Sequence, residues 1–517
     1  MPSSTRSVRI LLTASEAFPA LERAFLGAKS EIWASFLVFD LTSRLRSPEA
    51  QAVGKTWFDL VVHTLNRGVS LHFSISDFDP IKSAPMHQAT RQHLRMFSAA
   101  AAVANPGAKL KVLRPRHPAE TGLLVRLAVW PSTIRKLVKL ARGLNALMPE
   151  HRAATLRDMD GTAQMLMVRQ DGTVTVRFWV LPRLFPVVHH QKLVVIDRKS
   201  LYIGGLDLDE RRSYFPMDKQ VGSQASHGLQ LLIEGPVVAE AQEHLETFND
   251  VIEGRLAPPR TRRLLRTLSR PRRSGLLHRS PDPVACELKT AHLILSRRAK
   301  HLIYIENKNF CDIALARALA ETAQRALDLQ LILILSATPN GVAYDGRRSL
   351  ASRYSEFVQA KALRILQKGF MSRLFVGSPA QMTTAVPDGE TDQHNQSNGE
   401  PSAEVHAKVS IFDDTSAIVS SANFNTRGLQ WDTEAGVYLT NAHDVIELRH
   451  RIIAHWLPAN VGDDTFISET AAQSWANTAW RNAEKPVAER DSQLLPYSFA
   501  MAKASGRTLP TAPTKFD

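Results

Sequence analysis

A chain of 517 residues exceeds a typical single domain, so two domains or two fused lobes are expected, and its 44% hydrophobic and 22% charged content suits a globular protein with substantial cores. A net charge of +14 favours anionic partners such as phospholipid surfaces, nucleic acid or phosphorylated small molecules, or else marks only a basic surface. Two cysteines, Cys286 and Cys311, exclude a disulfide-rich scaffold and a cysteine-based zinc site.

In chain order, Met1 to Ile10 lacks the apolar core of a Sec-type leader, and no later segment is long and apolar enough to span a bilayer. A cytoplasmic or peripheral membrane location is therefore expected, with leaderless secretion still open. Residues 14 to 30 predict a helix, because Ala17, Leu21, Ala24, Phe25 and Ala28 recur at helical spacing. Ile32 to Phe39 predicts a strand of aromatic and branched residues. Phe58 to Asn66 predicts a second helix stopped by Arg67-Gly68, and Val69 to Ser76 alternates as a strand. Such alternation of strand and helix argues for a sheet with helices on its faces.

The second half repeats the first. Ala28-Lys29-Ser30-Glu31-Ile32-Trp33 is echoed by Ala299-Lys300-His301-Leu302-Ile303-Tyr304, and Arg67 to Ser76 more loosely by Ala326 to Ser336. Each copy then runs to the same figure. His190, Lys192 and Asp197 form H-x-K-x4-D, with six residues before Gly204-Gly205; His406, Lys408 and Asp413 repeat it, with six residues before Ser420-Ser421. The first copy is longer, since 162 residues separate Ala28 from His190 and only 107 separate Ala299 from His406. The excess is expected at about 94–178 and includes Ile134 to Arg142, a basic helix with Ile134, Leu137, Val138 and Ala141 on one side. An anionic membrane or the protein itself would cover that side.

The expected organisation is an α/β fold of two similar lobes, mixed sheets flanked by helices, packed as a pseudo-two-fold pair with the active site between them. Lobe 1 covers 1–255, an Arg/Pro-rich linker 256–283, lobe 2 284–483 and a tail 484–517. The linker, with Arg260, Arg262, Arg263, Arg266, Arg270, Arg272, Arg273 and Arg279, is either solvated or in touch with phosphate. Asp388 to Ser402, polar and aperiodic, predicts a loop just before the second figure.

His and Lys two apart on a strand share a face, so one pair from each copy makes a cationic pocket with two imidazoles. Such a pocket suits a phosphate diester. Lysines neutralise the phosphoryl oxygens, one neutral imidazole attacks phosphorus and the other, protonated, supplies the leaving alcohol with its proton. Residue types alone leave the two histidines interchangeable. This chemistry calls for no metal or other cofactor, and the sequence offers no clear metal-ligand cluster.

The doubled figure resembles the phospholipase D superfamily. Gly-Gly-Leu-Asp-Leu (204 to 208), Ser-Ser-Ala-Asn-Phe-Asn-Thr-Arg-Gly (420 to 428) and Ile303-Tyr304-Ile305-Glu306-Asn307 resemble its phospholipid-cleaving branch, although Lys308 stands where Gln is usual. Relatives with amino-terminal membrane spans, such as cardiolipin synthases, are a poorer match. The resemblance implies hydrolysis of a glycerophospholipid at an anionic membrane surface, with nucleic acid the less favoured substrate and a non-catalytic anion-binding protein the third reading. It implies His190 as nucleophile, His406 as general acid and then base, and Glu434, in Trp431-Asp432-Thr433-Glu434, as the second copy's orienting acid. In the first copy Gly228 falls where an acid is usual. Asp218 lies 28 residues after His190, the offset of Glu434 from His406, and is the substitute candidate. Asp197 and Asp413 are expected to hold the strand-turn geometry, Asn423 to donate to a phosphate oxygen and Asp207 to support a neighbouring group. Headgroup and oligomeric state are not legible.

Overall fold

The computed structural model describes residues 7–162, 164–209, 227–272, 281–336, 350–379, 396–397, 400–401, 405–458 and 467–499. Each half builds one mixed sheet. In spatial order the first runs Ser7–Thr13, His227–Glu234, Ser200–Gly204, Leu193–Ile196, Glu31–Phe36, Ser70–Ile75, Leu110–Leu113. The second runs Asp282–Cys286, Leu264–Arg270, Glu434–Leu439, Ser416–Ser420, Val409–Phe412, Leu302–Asn307, Gln330–Leu335, Leu374–Pro379, Leu494–Pro496. Without its two edge strands the second matches the first strand for strand, antiparallel from the outer edge to the Glu31–Phe36 or Leu302–Asn307 strand and parallel beyond it.

The strands that follow each His and Lys, Leu193–Ile196 and Val409–Phe412, are buried throughout and apolar but for Ser410, because both of their faces are covered. Leu193 and Val195 point into a core shared with Val409, Ile411, Val419 and Val437 of the second sheet. Val194 and Ile196, one step out of phase, join Phe25, Leu60 and Phe73 in a core of lobe 1 alone. The two sheets thus pack face to face. Asp197 and Asp413 close the turn after each strand with φ of 51° and 50°. Asp197 accepts the N–H groups of Lys29, Ser30 and Glu31 at 2.8, 2.7 and 3.1 Å. Asp413 accepts those of Lys300, His301 and Leu302 at 3.1, 2.9 and 3.0 Å.

The first elements form where expected, as Ala14–Gly27, Glu31–Phe36, Trp57–Asn66 and Ser70–Ile75. Three boundaries move. The lobe 1 excess begins after Leu113, not near Leu94, since Leu110–Leu113 pairs in the common sheet and the Ala84–Val103 helix is the counterpart of Leu350–Phe370. It comprises helices Leu123–Asn145 and Pro149–Asp158 and the hairpin Leu166–Val168/Val174–Val176. The supposed linker contains a strand of the second sheet. Leu264–Arg270 pairs with Glu434–Leu439, and Arg266 is buried, donating to Glu287 at 2.9 and 2.7 Å. Arginine and proline content masked a run in which Leu264, Leu268 and this paired arginine lie inside. Finally, Leu494–Pro496 of the tail pairs with Leu374–Pro379 as an edge strand. The loop expected at Asp388 to Ser402 and the tail beyond 499 lie almost wholly outside the described residues. Among the described residues, no helix is long and apolar enough to cross a membrane.

Candidate active site

Each histidine is held by the opposite lobe. The His190 N–H donates to the Thr433 carbonyl at 2.8 Å, and the His406 N–H donates to the His227 carbonyl at 3.0 Å. These reciprocal bonds bring the two H-x-K starts together at the lobe interface. Lys192 and Lys408 are both buried. Lys192 Nζ donates to the His190 carbonyl at 2.5 Å and lies 3.5 Å from Asp207 Oδ2. Lys408 Nζ donates to the His406 carbonyl at 2.7 Å and lies 3.3 Å from His406 Nδ1. The backbones touch here: a Cβ on Gly205 would stand 2.5 Å from the His406 carbonyl oxygen, so only glycine fits.

Glu434 does not serve its own copy. Its carboxylate oxygens lie 3.0 and 3.1 Å from His190 Nδ1, across the interface, and the Ser421 hydroxyl donates to it. This corrects the expectation that Glu434 orients His406. The physical reason is that Thr433 already pairs with His189 of lobe 1, so the next side chain emerges beside His190. Burial pushes the Glu434 carboxyl up, against the pull of Lys192 and Lys408. Burial likewise holds the His190 imidazole well below its ordinary value, and Lys192, Lys408, His406 and Arg427 push it further down. His190 is thus a neutral imidazole near pH 7.

Lobe 1 has no acid in the equivalent place. The pairs Ser420 with Gly436 and Gly204 with Gln230 align Glu434 with Gly228. A Cβ on Gly228 would stand 2.2 Å from Leu206 Cδ2, and Leu206 corresponds to Ala422 in the other copy. An acid beside a small residue in one lobe is therefore a glycine beside a leucine in the other. Asp218 lies outside the described residues. Asp207 accepts the Val38 N–H at 3.0 Å and faces Lys192, whereas Asn423 Oδ1 is buried without a hydrogen-bond partner among the described residues.

Sequence reasoning missed several supporting groups. His227 Nε2 lies 2.7 Å from Glu306 Oε2, and Glu306 also accepts from Trp456 Nε1 at 2.6 Å and from the Tyr304 hydroxyl. Burial pushes the Glu306 carboxyl up, but His227, Tyr304 and Trp456 together pull it below the ordinary range. Glu306 thereby anchors the residue whose carbonyl holds His406. Asp432 accepts the Val188 N–H at 3.0 Å and pairs with Arg427 at 3.1 Å. The position of His227 directly before Gly228, and of Asp432 two residues before Glu434, was the available signal.

Residues 294–456 match the family model described as cardiolipin synthase, phospholipase D-like domain. Those residues, in the second lobe, are thus similar to a phospholipase D-like domain. No curated protein matches the chain. Among solved structures, phosphatidylserine synthase from Haemophilus influenzae Rd KW20 is 10% identical with a TM-score of 0.47, covering 86% of each chain. Polyphosphate kinase from Porphyromonas gingivalis is 9% identical with a TM-score of 0.43, over 86% of this chain but only 46% of that enzyme, so this chain spans less than half its length. NucT from Helicobacter pylori is 15% identical with a TM-score of 0.23, over 32% of this chain and 83% of its own. The family match falls on the second lobe, and the shared strand order extends the phospholipase D-like unit to the first. Chemically, this phospholipase D-like centre offers a neutral imidazole backed by a carboxyl, a second imidazole and two buried ammonium groups. That set favours an anionic, tetrahedral phosphoryl group over other substrates.

Proposed function

We propose that this protein cleaves glycerophospholipids to phosphatidate and a headgroup alcohol through a phosphohistidine. The observation that carries the proposal is the Glu434–His190 pair across the lobe interface, flanked by Lys192 and Lys408. A proton on Nδ1, facing Glu434, leaves the Nε2 lone pair free to attack phosphorus. The headgroup oxygen departs as His406 gives it a proton, and the phosphatidyl group stays on His190. His406 then removes a proton from water, whose oxygen attacks phosphorus and releases phosphatidate and neutral imidazole. An alcohol in place of water gives phosphatidyl transfer, the second reading, which the description of the matching family model favours. Throughout, the two lysines offset charge on the non-bridging oxygens, and Glu434 balances the cationic phosphorylated ring.

The test is direct. The protein is incubated with phosphatidylcholine, phosphatidylethanolamine and phosphatidylglycerol, with and without glycerol, and separately with single-stranded DNA, in EDTA. Phosphatidate, or a transferred phosphatidyl group when glycerol is present, is expected under chelation. Cleavage of DNA alone would make the protein a nuclease. Activity abolished by EDTA and restored by a divalent ion would refute the two-histidine route.

A further inference from the structure

The Leu123–Asn145 helix buries Thr133, Leu137, Ala141 and Leu144, none of them in its first ten residues. Past those ten, Ile134 and Val138 pack with Leu137 and Ala141 against Met165, Leu166, Val174 and Val176. The apolar side of Ile134 to Arg142, which the sequence left to an anionic membrane or to the protein itself, is therefore covered by the protein itself. The first half of the helix behaves differently. Its opening residues, Leu-Leu-Val-Arg-Leu-Ala-Val-Trp, bury no side chain, and Leu124, Leu127 and Trp130 are 46, 46 and 36% exposed. The neighbouring loop adds Phe178 and Trp179, 53 and 73% exposed. Helix and loop form one surface, since the Arg126 guanidinium donates to the carbonyls of Leu181 and Pro182 at 3.0 and 2.8 Å, and the Thr121 N–H donates to that of Leu184 at 3.0 Å.

We infer that this surface docks the protein on anionic phospholipid bilayers, with Leu124, Leu127, Trp130, Phe178 and Trp179 entering the boundary between headgroups and acyl chains. Single exposed apolar residues are ordinary, but five large ones gathered on a helix and on the loop that its Arg126 holds are not. Eight helical residues present a ridge about 12 Å long, enough to enter the interfacial zone without spanning the bilayer. Tryptophan suits that depth because its ring is apolar while its N–H seeks water or headgroups. Charge supports a lipid occupant: the segment from Thr121 to Pro149 holds Arg126, Arg135, Lys136, Lys139 and Arg142 and no acidic residue. Cations beside a wedge of leucine and tryptophan complement anionic headgroups above acyl chains. The loop that carries Trp179 then leads into His189-His190. The choice of a bilayer as occupant rests on the proposed phospholipid substrate, and the experiment separates the two.

Full-length protein is titrated with vesicles of phosphatidylcholine alone and of phosphatidylcholine mixed with phosphatidylglycerol. Binding to the mixed vesicles should be tighter and should weaken with salt. Leu124→Asp/Leu127→Asp and, separately, Trp179→Ala should weaken vesicle binding, the double variant by at least about tenfold. Turnover of the soluble diester bis(p-nitrophenyl) phosphate should be unchanged, which also reports correct folding. In the unsubstituted protein, brominated lipids should quench tryptophan fluorescence, and Trp130→Phe/Trp179→Phe should remove most of that quenching. Vesicle affinity within about twofold of the parent in the double variant, or quenching that survives loss of both tryptophans, would overturn the inference. So would conversion of a dimer to a monomer by Leu124→Asp/Leu127→Asp with vesicle binding intact, which would make a second copy the occupant. Patch-dependent vesicle binding without lipid cleavage would sustain the docking surface while sinking the proposed activity.

Discussion

Glu434→Gln is the substitution that most sharply tests the site, because its partner lies in the opposite lobe. The change keeps volume and leaves an oxygen for the Ser421 hydroxyl, so packing is preserved. It removes the negative charge that would face Nδ1 of His190 once Nε2 bonds to phosphorus. A hydrogen bond to a charged group contributes about 1.5–3 kcal/mol, which corresponds to about 10- to 150-fold in rate. A glutamine that donates its amide proton to Nδ1 would also select the tautomer with Nε2 protonated, deepening the loss. The lesion should therefore resemble a milder loss of His190, not of His406. Quenched-flow labelling with a p-nitrophenyl phosphodiester isolates that step, because this leaving group departs without a proton donor. His406→Ala should still accumulate label on His190, since water activation is what fails. Glu434→Gln should form the label about 10- to 150-fold more slowly, alone or combined with His406→Ala. Labelling at the parental rate with slowed hydrolysis would place Glu434 in the service of His406 and refute the reasoning. Label on His406 in His190→Ala would reverse the two roles.

Three further outcomes follow from the packing. Lys408→Met removes a cation that helps hold His190 neutral, so the His190 pKa should rise and the acid limb of kcat/KM for a soluble diester should move to higher pH; an unmoved or lowered limb would discount Lys408 as a neighbour of that ring. Gly228→Asp should lower stability to urea by about 1–3 kcal/mol through overpacking against Leu206, and Leu206→Ala in the same chain should recover much of that loss; equal stability of the single variant and the parent would mean that the site is roomier than the structure shows. Burial lowers the pKa of His117 and His292 to about 4 and of His244 to about 3, so the unfolded chain takes up protons first. Stability should then be full above about pH 6.5 and fall as pH drops toward 4, by up to about 1.4 kcal/mol per pH unit for each histidine. A urea midpoint that stays level from pH 7 to 5 would contradict this.

Much of the centre was legible because its determinants are local. His190 and Lys192, like His406 and Lys408, stand two apart immediately before a buried strand, Leu193–Ile196 or Val409–Phe412, so the element that follows each pair carries it to the site; the expected strand starts just after the lysine instead of at the histidine. The run Leu193 to Ile196 that follows the first pair is apolar at every position, and its side chains divide between two cores, one on each face of the strand. The repeat also carried the two-lobe architecture, since two copies of one strand order have equivalent motifs to bring together. Asp207 was expected to support a neighbouring group, and the structure sets it against Lys192 and the Val38 N–H.

By itself, then, the sequence determined the doubled fold and which histidines and lysines meet. Tertiary structure decided which lobe each supporting group serves. His190 and Glu434 are 244 residues apart, and no offset along the chain distinguishes a carboxylate that faces its own copy from one that crosses to the other. Gly228 was visible as a missing acid, but only packing shows Leu206 occupying that volume. Arg266 looked like one more solvated arginine until strand pairing placed it inside against Glu287. The same holds for the Leu123–Asn145 helix. Apolar residues run from Leu123 to Leu144, yet the protein buries them only beyond Thr133, and exposure is a property of what lies opposite a side chain.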